Sequence, residues 1–225
     1  MSTGTAPRGT VHGEHRWDSV FAALYDRITR RGEKLMMGRR RAELIAQARG
    51  RTLEIGAGTG ANLLHYPQQV EELILTEPFE PMRRRLEGKL RDSGVAATVL
   101  AAPAESLPLD DESIDTVVST LVLCTVDFPD RALAEIARVL KPGGQLLFIE
   151  HVRSDSPRWA RWQDRLETPW RHFAAGCRCN RDTLASVEAA GFETEHENLH
   201  WKGSPPIVAA VIVGRAVKPV SSQPE

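Results

Sequence analysis

Three glycines stand at every second position in the segment LEIGAGTGAN, residues 53–62. They follow RTLEI (51–55), a short apolar run that is typical of a buried strand. A glycine loop between a strand and a helix presents backbone N–H groups at the carboxyl edge of a parallel sheet, where open α/β sheets bind their ligands. Glu77 ends the next apolar run, 21 positions after Gly56, where it could hold a ribose diol. These residues predict a site for a nucleoside-containing cofactor.

Two cofactors, NAD and S-adenosylmethionine (SAM), fit this arrangement. Gly56, Gly58 and Ala61 satisfy the relaxed dinucleotide pattern G-x-G-x-x-G/A, so the glycine spacing alone does not separate hydride transfer from methyl transfer. Glu54 favours SAM, because its carboxylate would repel a pyrophosphate and would suit the cationic end of SAM, directly or through water. The alternative for Glu54 is an ion pair with an arginine of the N-terminal helices.

The elements that must position these residues follow the rhythm of an α/β fold. Apolar runs alternate with amphipathic helical patterns, which predicts a parallel sheet with right-handed crossovers. The predicted strands are 51–55, 71–77, 97–101, 114–120 and 145–151, and the predicted helices include 81–92, 129–140 and 182–190. The segment 157–175 has a basic-aromatic helical pattern that we expect Pro169 to break. Two further runs, 192–199 and 206–217, resemble a hairpin that closes the sheet edge.

Five segments resemble, in order and spacing, the class I SAM-dependent methyltransferases: LEIGAGTGAN (53–62), LTEPFEPM (75–82), AAPAESLPLDDESIDTVVST (101–120), LAEIARVLKPGGQLLFIEH (133–151) and EAAGF (188–192). The resemblance implies a Rossmann-like, seven-stranded α/β sheet, mostly parallel with a C-terminal antiparallel hairpin and flanked by helices. We expect one domain at 15–217, with lid helices at 15–50, a SAM-binding core at 51–151 and a substrate side at 152–217. Residues 1–14 and 218–225 are expected to be disordered tails.

The same resemblance assigns the parts of the SAM site. The glycine loop approaches the methionine and ribose parts, Glu77 takes the ribose hydroxyls, and Ala102–Glu105 flanks the adenine. Many relatives have an aspartate where this chain has Pro103, which carries neither a carboxylate nor an N–H. We therefore expect backbone around Ala104 to hold the adenine, with Glu105 as a second contact, as a helix-capping residue or as a solvent-facing residue. The predicted SAM-binding residues are Glu54, Gly56, Ala57, Gly58, Gly60, Asn62, Glu77, Pro78, Ala104, Glu105 and Leu121.

The acceptor is expected where the fourth and fifth strands end. TLVLCTV (120–126), IEHVRSD (149–155) and WARWQDRLETPWRHFAAGC (159–177) resemble the methyltransferase-like thiol S-methyltransferases and their bacterial relatives. This implies a small apolar or aromatic thiol or dithiol as substrate. The predicted pocket residues are Cys124, Glu150, Trp162, Trp170, Cys177 and Trp201, although core packing is an alternative for the tryptophans. Methylation of O, N or C on a quinone, phenol or lipid headgroup, and SAM binding without catalysis, are the competing functions.

His151, at the end of the fifth strand, is the candidate general base. Tyr25 and Asp26 are further catalytic candidates, because they form a pair that resembles one in quinone-type methyltransferases. A thiol is partly ionised at neutral pH and needs little help, whereas a phenol or an amine benefits from a placed base. The alternative role of His151 is to bond to backbone and shape the pocket floor.

The amino-acid composition argues against several other functional classes. The chain has 29 Lys+Arg and 30 Asp+Glu, so it has no bulk attraction for nucleic acid, and the runs Arg39–Arg41 and Arg83–Arg85 are interpreted as solvated helix faces. Three cysteines favour a reducing compartment, and Cys177-x-Cys179 lacks the further ligands of a zinc site, so no metal is expected. No apolar run is long enough to span a membrane, so we expect a cytoplasmic protein. We expect it to be a monomer or a homodimer.

Overall fold

The structure is a computed structural model that describes residue 27 and residues 30–220. Its seven strands are β1 (Gly50–Ile55), β2 (Val70–Thr76), β3 (Thr98–Leu100), β4 (Ile114–Thr120), β5 (Leu140–His151), β6 (Glu193–His200) and β7 (Ala210–Val217). Its α-helices are α1 (Gly38–Ile45, preceded by a π-helical turn at Glu33–Met37), α2 (Glu80–Ser93), α3 (Pro129–Val139), α4 (Pro157–Phe173) and α5 (Thr183–Ala189). Short 3₁₀ turns lie at Leu63–His65 and Pro206–Val208.

All seven strands form one sheet in the order β3-β2-β1-β4-β5-β7-β6. The first five pair in parallel, and β7 pairs antiparallel with both β5 and β6. The predicted Rossmann-like sheet with an antiparallel C-terminal hairpin is therefore confirmed. The order reverses between β1 and β4, and a ligand site in an open α/β sheet lies outside the strand ends at such a switch point.

The sheet is buried on both faces, which explains why its central strands are apolar throughout. On one face, Leu53, Val117 and Phe148 pack with Leu133 and Ile136 of the amphipathic helix α3. On the other face, Met37, Leu44 and Ile45 of the first helical segment cover Leu147 and Ile149.

Two local predictions differ from the structure. Helix α4 continues through Pro169, whose position is exposed, so water can satisfy the carbonyl group that the missing N–H leaves free. Strand β5 begins at Leu140, directly after α3, because Leu140 already pairs with Ile114 of β4 across a register shift.

Lys218, the residue after β7, is bound to the backbone at the start of β5. The backbone N–H of Lys218 donates to the carbonyl of Gly144 at 2.9 Å, and its ammonium donates to the carbonyl of Leu140 at 2.7 Å. Among the described residues, no helix is both long enough and apolar enough to cross a membrane. The same residues contain no cluster of three His, Cys, Asp or Glu side chains able to hold a metal ion.

Candidate active site

The glycine loop leaves β1 with positive φ angles of 54° at Gly56 and 57° at Gly58. These angles strain any residue with a side chain. At Gly56 a Cβ atom would also lie 2.8 Å from Val122, so this glycine is required for packing against the loop after β4. At Gly58 the nearest atom to an added Cβ is the carbonyl oxygen of Gly56 at 4.0 Å. The backbone at Gly58 therefore faces open space that a ligand can fill.

Glu77 lies directly beside this loop. One carboxylate oxygen accepts the N–H of Gly58 at 2.8 Å and the other accepts the N–H of Phe79 at 2.8 Å. Burial raises the pKa of Glu77, and the two N–H donors and Arg83 oppose that rise. Each carboxylate oxygen can accept more than one hydrogen bond. The pair of oxygens thus retains capacity for two hydroxyl groups of a ribose.

Glu54 is buried beneath the loop and binds two neutral side chains. Its carboxylate accepts from the Asn62 amide at 2.8 Å and from the Tyr66 hydroxyl at 2.5 Å. Burial raises the pKa of Glu54 to about 7, although both hydrogen bonds and the charge of Arg41 act in the opposite direction. The guanidinium of Arg41 donates to the Asn62 carbonyl oxygen at 3.1 Å. Asn62 therefore connects Glu54 with an arginine of the N-terminal helices, whereas the alternative interpretation of Glu54 was a direct ion pair with such an arginine.

The predicted adenine segment follows β3. Ala102, Ala104 and Leu107 are buried, whereas Pro103 is exposed. The carboxylate of Glu105 lies 3.5 Å from the N–H of Phe128, the residue that precedes α3. This contact places Glu105 at the start of a helix, which is one of the roles open to it. Pro78, after β2, is exposed, and its carbonyl accepts from Arg83 at 3.2 Å.

The loop after β4 is organised by Glu150. Its fully buried carboxylate accepts from the Ser119 hydroxyl at 2.7 Å, from the N–H groups of Val122 and Leu123 at 3.0 Å each, and from the N–H of Cys124 at 3.1 Å. Burial raises the pKa of Glu150, and these four donors oppose the rise. Because three loop N–H groups and the Ser119 hydroxyl converge on this buried carboxylate, Glu150 is placed to hold the loop in position rather than to form the surface of a pocket.

Leu121 begins this loop in the left-handed region, with φ of 62°. A leucine in that conformation carries a backbone strain of about 1 kcal/mol or more, which the surrounding contacts must offset. Its N–H donates to the carbonyl of Ile149 at 2.7 Å. The strained residue Leu121 and the carboxylate of Glu150 both lie at the sheet edge where the methyl acceptor is expected.

His151 lies inside the protein, stacked on Trp201. The two ring centroids are 5.5 Å apart with an interplanar angle of 17°, and both residues are buried. Burial lowers the pKa of His151 to about 4, although the carbonyl groups of Val208 and Ala210 oppose the shift. Its Nδ1 has no hydrogen-bond partner among the described residues. The imidazole is therefore neutral at physiological pH and is a weak proton acceptor.

The cysteines gather at the end of β4. The sulfur atoms of Cys124 and Cys177 are 4.0 Å apart, and both side chains pack in one cluster with Cys179 and Val208. Trp170 packs against this cluster, so the structure brings together three of the predicted pocket residues. Trp162 is not part of it: its side chain is 43% exposed, under the guanidinium of Arg165. Tyr25 and Asp26 lie outside the described residues.

Comparison with known proteins identifies the family. The methyltransferase domain family matches residues 53–148. The thiol S-methyltransferase TMT1B of Homo sapiens is 36% identical over 216 residues, which cover 89% of this chain and 86% of that protein. The human thiol S-methyltransferase TMT1A is 35% identical over 174 residues, covering 74% and 70%. This chain belongs to that methyltransferase family. The protein is a SAM-dependent methyltransferase.

A solved structure supports the fold of the methyltransferase. A SAM-dependent methyltransferase of Thermotoga maritima superposes with a TM-score of 0.67 at 26% identity, covering 90% of this chain and 98% of that one. The residues present also fit SAM, because the loop has open space at Gly58 and Glu77 has free acceptor capacity beside it. No pyrophosphate would be required to approach the buried carboxylate of Glu54.

The sequence interpretation of one arginine in this methyltransferase was wrong. Arg41 was placed on a solvated face, but it is 3% exposed and bonds to Glu33 at 3.1 Å and to Asn62. A signal was present: Arg41 lies four residues after Met37 and three before Leu44, on the apolar side of its helix. Tyr66 was missed as a partner of Glu54, and nothing in its local pattern indicated that contact.

Proposed function

We propose that this SAM-dependent methyltransferase transfers the methyl group to the sulfur atom of a small apolar or aromatic thiol. The observation that carries the proposal is the lack of a strong base at the ends of β4 and β5, within the described part of the chain. His151 is neutral above about pH 4, and the carboxylate of Glu150 is occupied by four donors. A thiol suits such a site, since its own pKa near 8.5 leaves a few per cent as thiolate at neutral pH.

The names of the relatives point to the same acceptor. Both human proteins compared above are thiol S-methyltransferases, and the matched segment of TMT1B covers 89% of this chain. The cluster of Cys124, Cys177 and Cys179 with Val208 is apolar, and Leu121 and Trp170 pack against it. An apolar wall favours an uncharged acceptor over a phosphorylated one, because burying a phosphate without a cationic partner is costly.

In the proposed mechanism the protein aligns the acceptor sulfur with the methyl group and excludes water from the site. SAM supplies, when bound, an electrophilic methyl group on a sulfonium sulfur. Gly56 and Gly58 would let the backbone approach it, and Glu77 would hold the ribose hydroxyls. Glu150 would keep the loop from Leu121 to Cys124 in place, so that the acceptor sulfur meets the methyl group in line and away from water. In this mechanism the acceptor thiol loses its proton to solvent before transfer.

A panel of matched acceptors tests the proposal. SAM turnover should be measured with thiophenol, an aliphatic dithiol, a catechol and a menaquinol precursor. Thiophenol and the dithiol are expected to be methylated fastest, and the pH at which kcat/KM reaches half its maximum should shift with the pKa of the thiol used. Faster methylation of the catechol or of the quinol would overturn the thiol assignment while leaving the methyltransferase intact.

A further inference from the structure

Two thiols from distant parts of the chain meet at the acceptor side of the sheet. Cys124 follows β4 and Cys177 follows α4, and their sulfur atoms are 4.0 Å apart. The backbone segments already contact each other, because the N–H of Arg178 donates to the carbonyl of Cys124 at 2.8 Å. All three cysteines, Cys179 included, are free thiols in the structure. The proposed methyl transfer does not require the contact between these two sulfur atoms, and the comparisons assign no role to it.

The two thiols differ in access and in acidity. Cys177 is 6% exposed and Cys124 is fully buried. The hydrogen bond between the Cys177 and Cys124 sulfur atoms lowers the pKa of Cys177, with a smaller contribution from the Trp170 indole. The contact with Cys177, followed by burial, raises the pKa of Cys124 well above its usual value. Since the thiolate is the reactive form, Cys177 is the sulfur that meets an oxidant first, and Cys124 is placed to resolve the product.

We propose that Cys124 and Cys177 are an oxidation site, at which hydrogen peroxide converts the two thiols into a disulfide that ties the loop after β4 to the segment after α4. In the first step the thiolate of Cys177 attacks peroxide, the O–O bond breaks, and hydroxide leaves as water after taking a proton. A sulfenic acid remains on Cys177. In the second step the Cys124 sulfur attacks Cys177, the S–O bond breaks, and a second water leaves with the proton of Cys124.

The geometry sets what the bond would change. A disulfide requires sulfur atoms about 2 Å apart, so the pair must close by about 2 Å. Arg178 and Glu150 already hold the backbone on either side of Cys124, which leaves the closing motion to the side chains and to the segment Ala174–Cys177. The loop from Leu121 to Cys124 would then be fixed at two ends. Oxidation would thereby stiffen the loop that faces the proposed acceptor.

Mass spectrometry of the intact protein tests the covalent step without any assay of methyl transfer. The reduced protein is treated with hydrogen peroxide, quenched in denaturant and alkylated. The expected result is a loss of about 2 Da, two blocked thiols and a peptide linking Cys124 to Cys177, all reversed by dithiothreitol. Cys179→Ala is the matched control and should behave like the wild type, whereas Cys124→Ala and Cys177→Ala should form no such link.

Hydrogen exchange tests the effect on the loop. Amide exchange in residues 120–126 should slow about fivefold or more in the oxidised wild type and in oxidised Cys179→Ala, and should not respond to peroxide in Cys177→Ala. Thermal unfolding of each variant checks that it is folded before treatment. If Cys124→Ala does not fold, Cys177→Ala alone serves as the variant that cannot form the link. A Cys177–Cys179 bond, a sulfinic acid on Cys177, or three alkylatable thiols after treatment would overturn the oxidation site. An unchanged exchange rate in the linked protein would overturn the stiffening.

Discussion

The N–H of Gly58 donates to the carboxylate of Glu77 across 2.8 Å, which joins the two halves of the proposed SAM site. Gly58 belongs to the loop after β1, and Glu77 follows β2. The bond fixes the position of the carboxylate relative to the bare backbone of the loop. A ribose that fits this geometry would bind with little loss of conformational entropy in the protein, because the carboxylate and the loop are already held in place. Such preorganisation increases affinity.

Replacement of Glu77 by alanine should weaken SAM binding about 10- to 150-fold, the effect of losing about 1.5–3 kcal/mol in total from hydrogen bonds to a charged group. Calorimetric titration with SAM measures the Kd. Glu80→Ala is the matched control, because Glu80 is an exposed acid of α2 that pairs with Arg84 of the same helix, and it should leave the Kd within about twofold. Equal Kd values for Glu77→Ala and the wild type would remove Glu77 from the SAM site.

Adjacent arginines of α1 should differ sharply in their effect on stability. Arg41→Ala removes this donor from the part-buried Glu33 carboxylate and from the buried Asn62 carbonyl oxygen, which should cost about 2–3 kcal/mol of unfolding free energy. Arg40→Ala removes exposed bonds to Glu43 and Glu197 and should cost less than about 1 kcal/mol. Urea unfolding at pH 7 measures both. Similar losses for the two variants would contradict the buried network.

The difference between Arg40 and Arg41 shows which features could be predicted from the sequence and which could not. Strand order, parallel pairing and the place of the glycine loop follow from local patterns, because alternating apolar runs and helices admit few topologies. The partners of Glu54 do not follow from such patterns. Its links to Asn62 and Tyr66 depend on how a short 3₁₀ turn packs beneath the loop, and the link from Asn62 to Arg41 depends on how α1 crosses the sheet. The contact between Cys124 and Cys177, 53 residues apart, is equally a product of tertiary packing.

His151 should make the protein less stable as the pH falls. Its folded-state pKa of about 4 lies below the usual 6.5, so between these values the unfolded chain binds a proton that the folded protein does not. The unfolding free energy should therefore fall by about 2 kcal/mol from pH 7 to pH 5 on account of this group. His151→Phe, which keeps an aromatic ring against Trp201, should lack that contribution in urea unfolding at both pH values.

An exposed histidine provides the control for that comparison. His196→Phe replaces a residue on the exposed strand β6 and should retain the pH dependence of the wild type. The kinetic consequence follows from the same pKa: His151→Phe should leave the shape of the pH profile for a thiol acceptor unchanged between pH 6 and pH 9. Loss of a limb near neutral pH would show that His151 acts as a base during catalysis.

Glu54 should act on stability in the opposite direction. Burial raises its pKa from 4.5 to about 7, so the folded protein holds a proton that the unfolded chain releases between these values. The stability that this proton provides is complete below about pH 4.5 and is lost as the pH rises through 7. Glu54→Gln is neutral and of similar shape, and should therefore gain about 2–3 kcal/mol relative to the wild type between pH 5 and pH 8. Urea unfolding at these two pH values measures the difference. Glu72→Gln, at an exposed position of β2, should show no such gain, and a pH-independent difference for Glu54→Gln would mean that the carboxylate is ionised throughout.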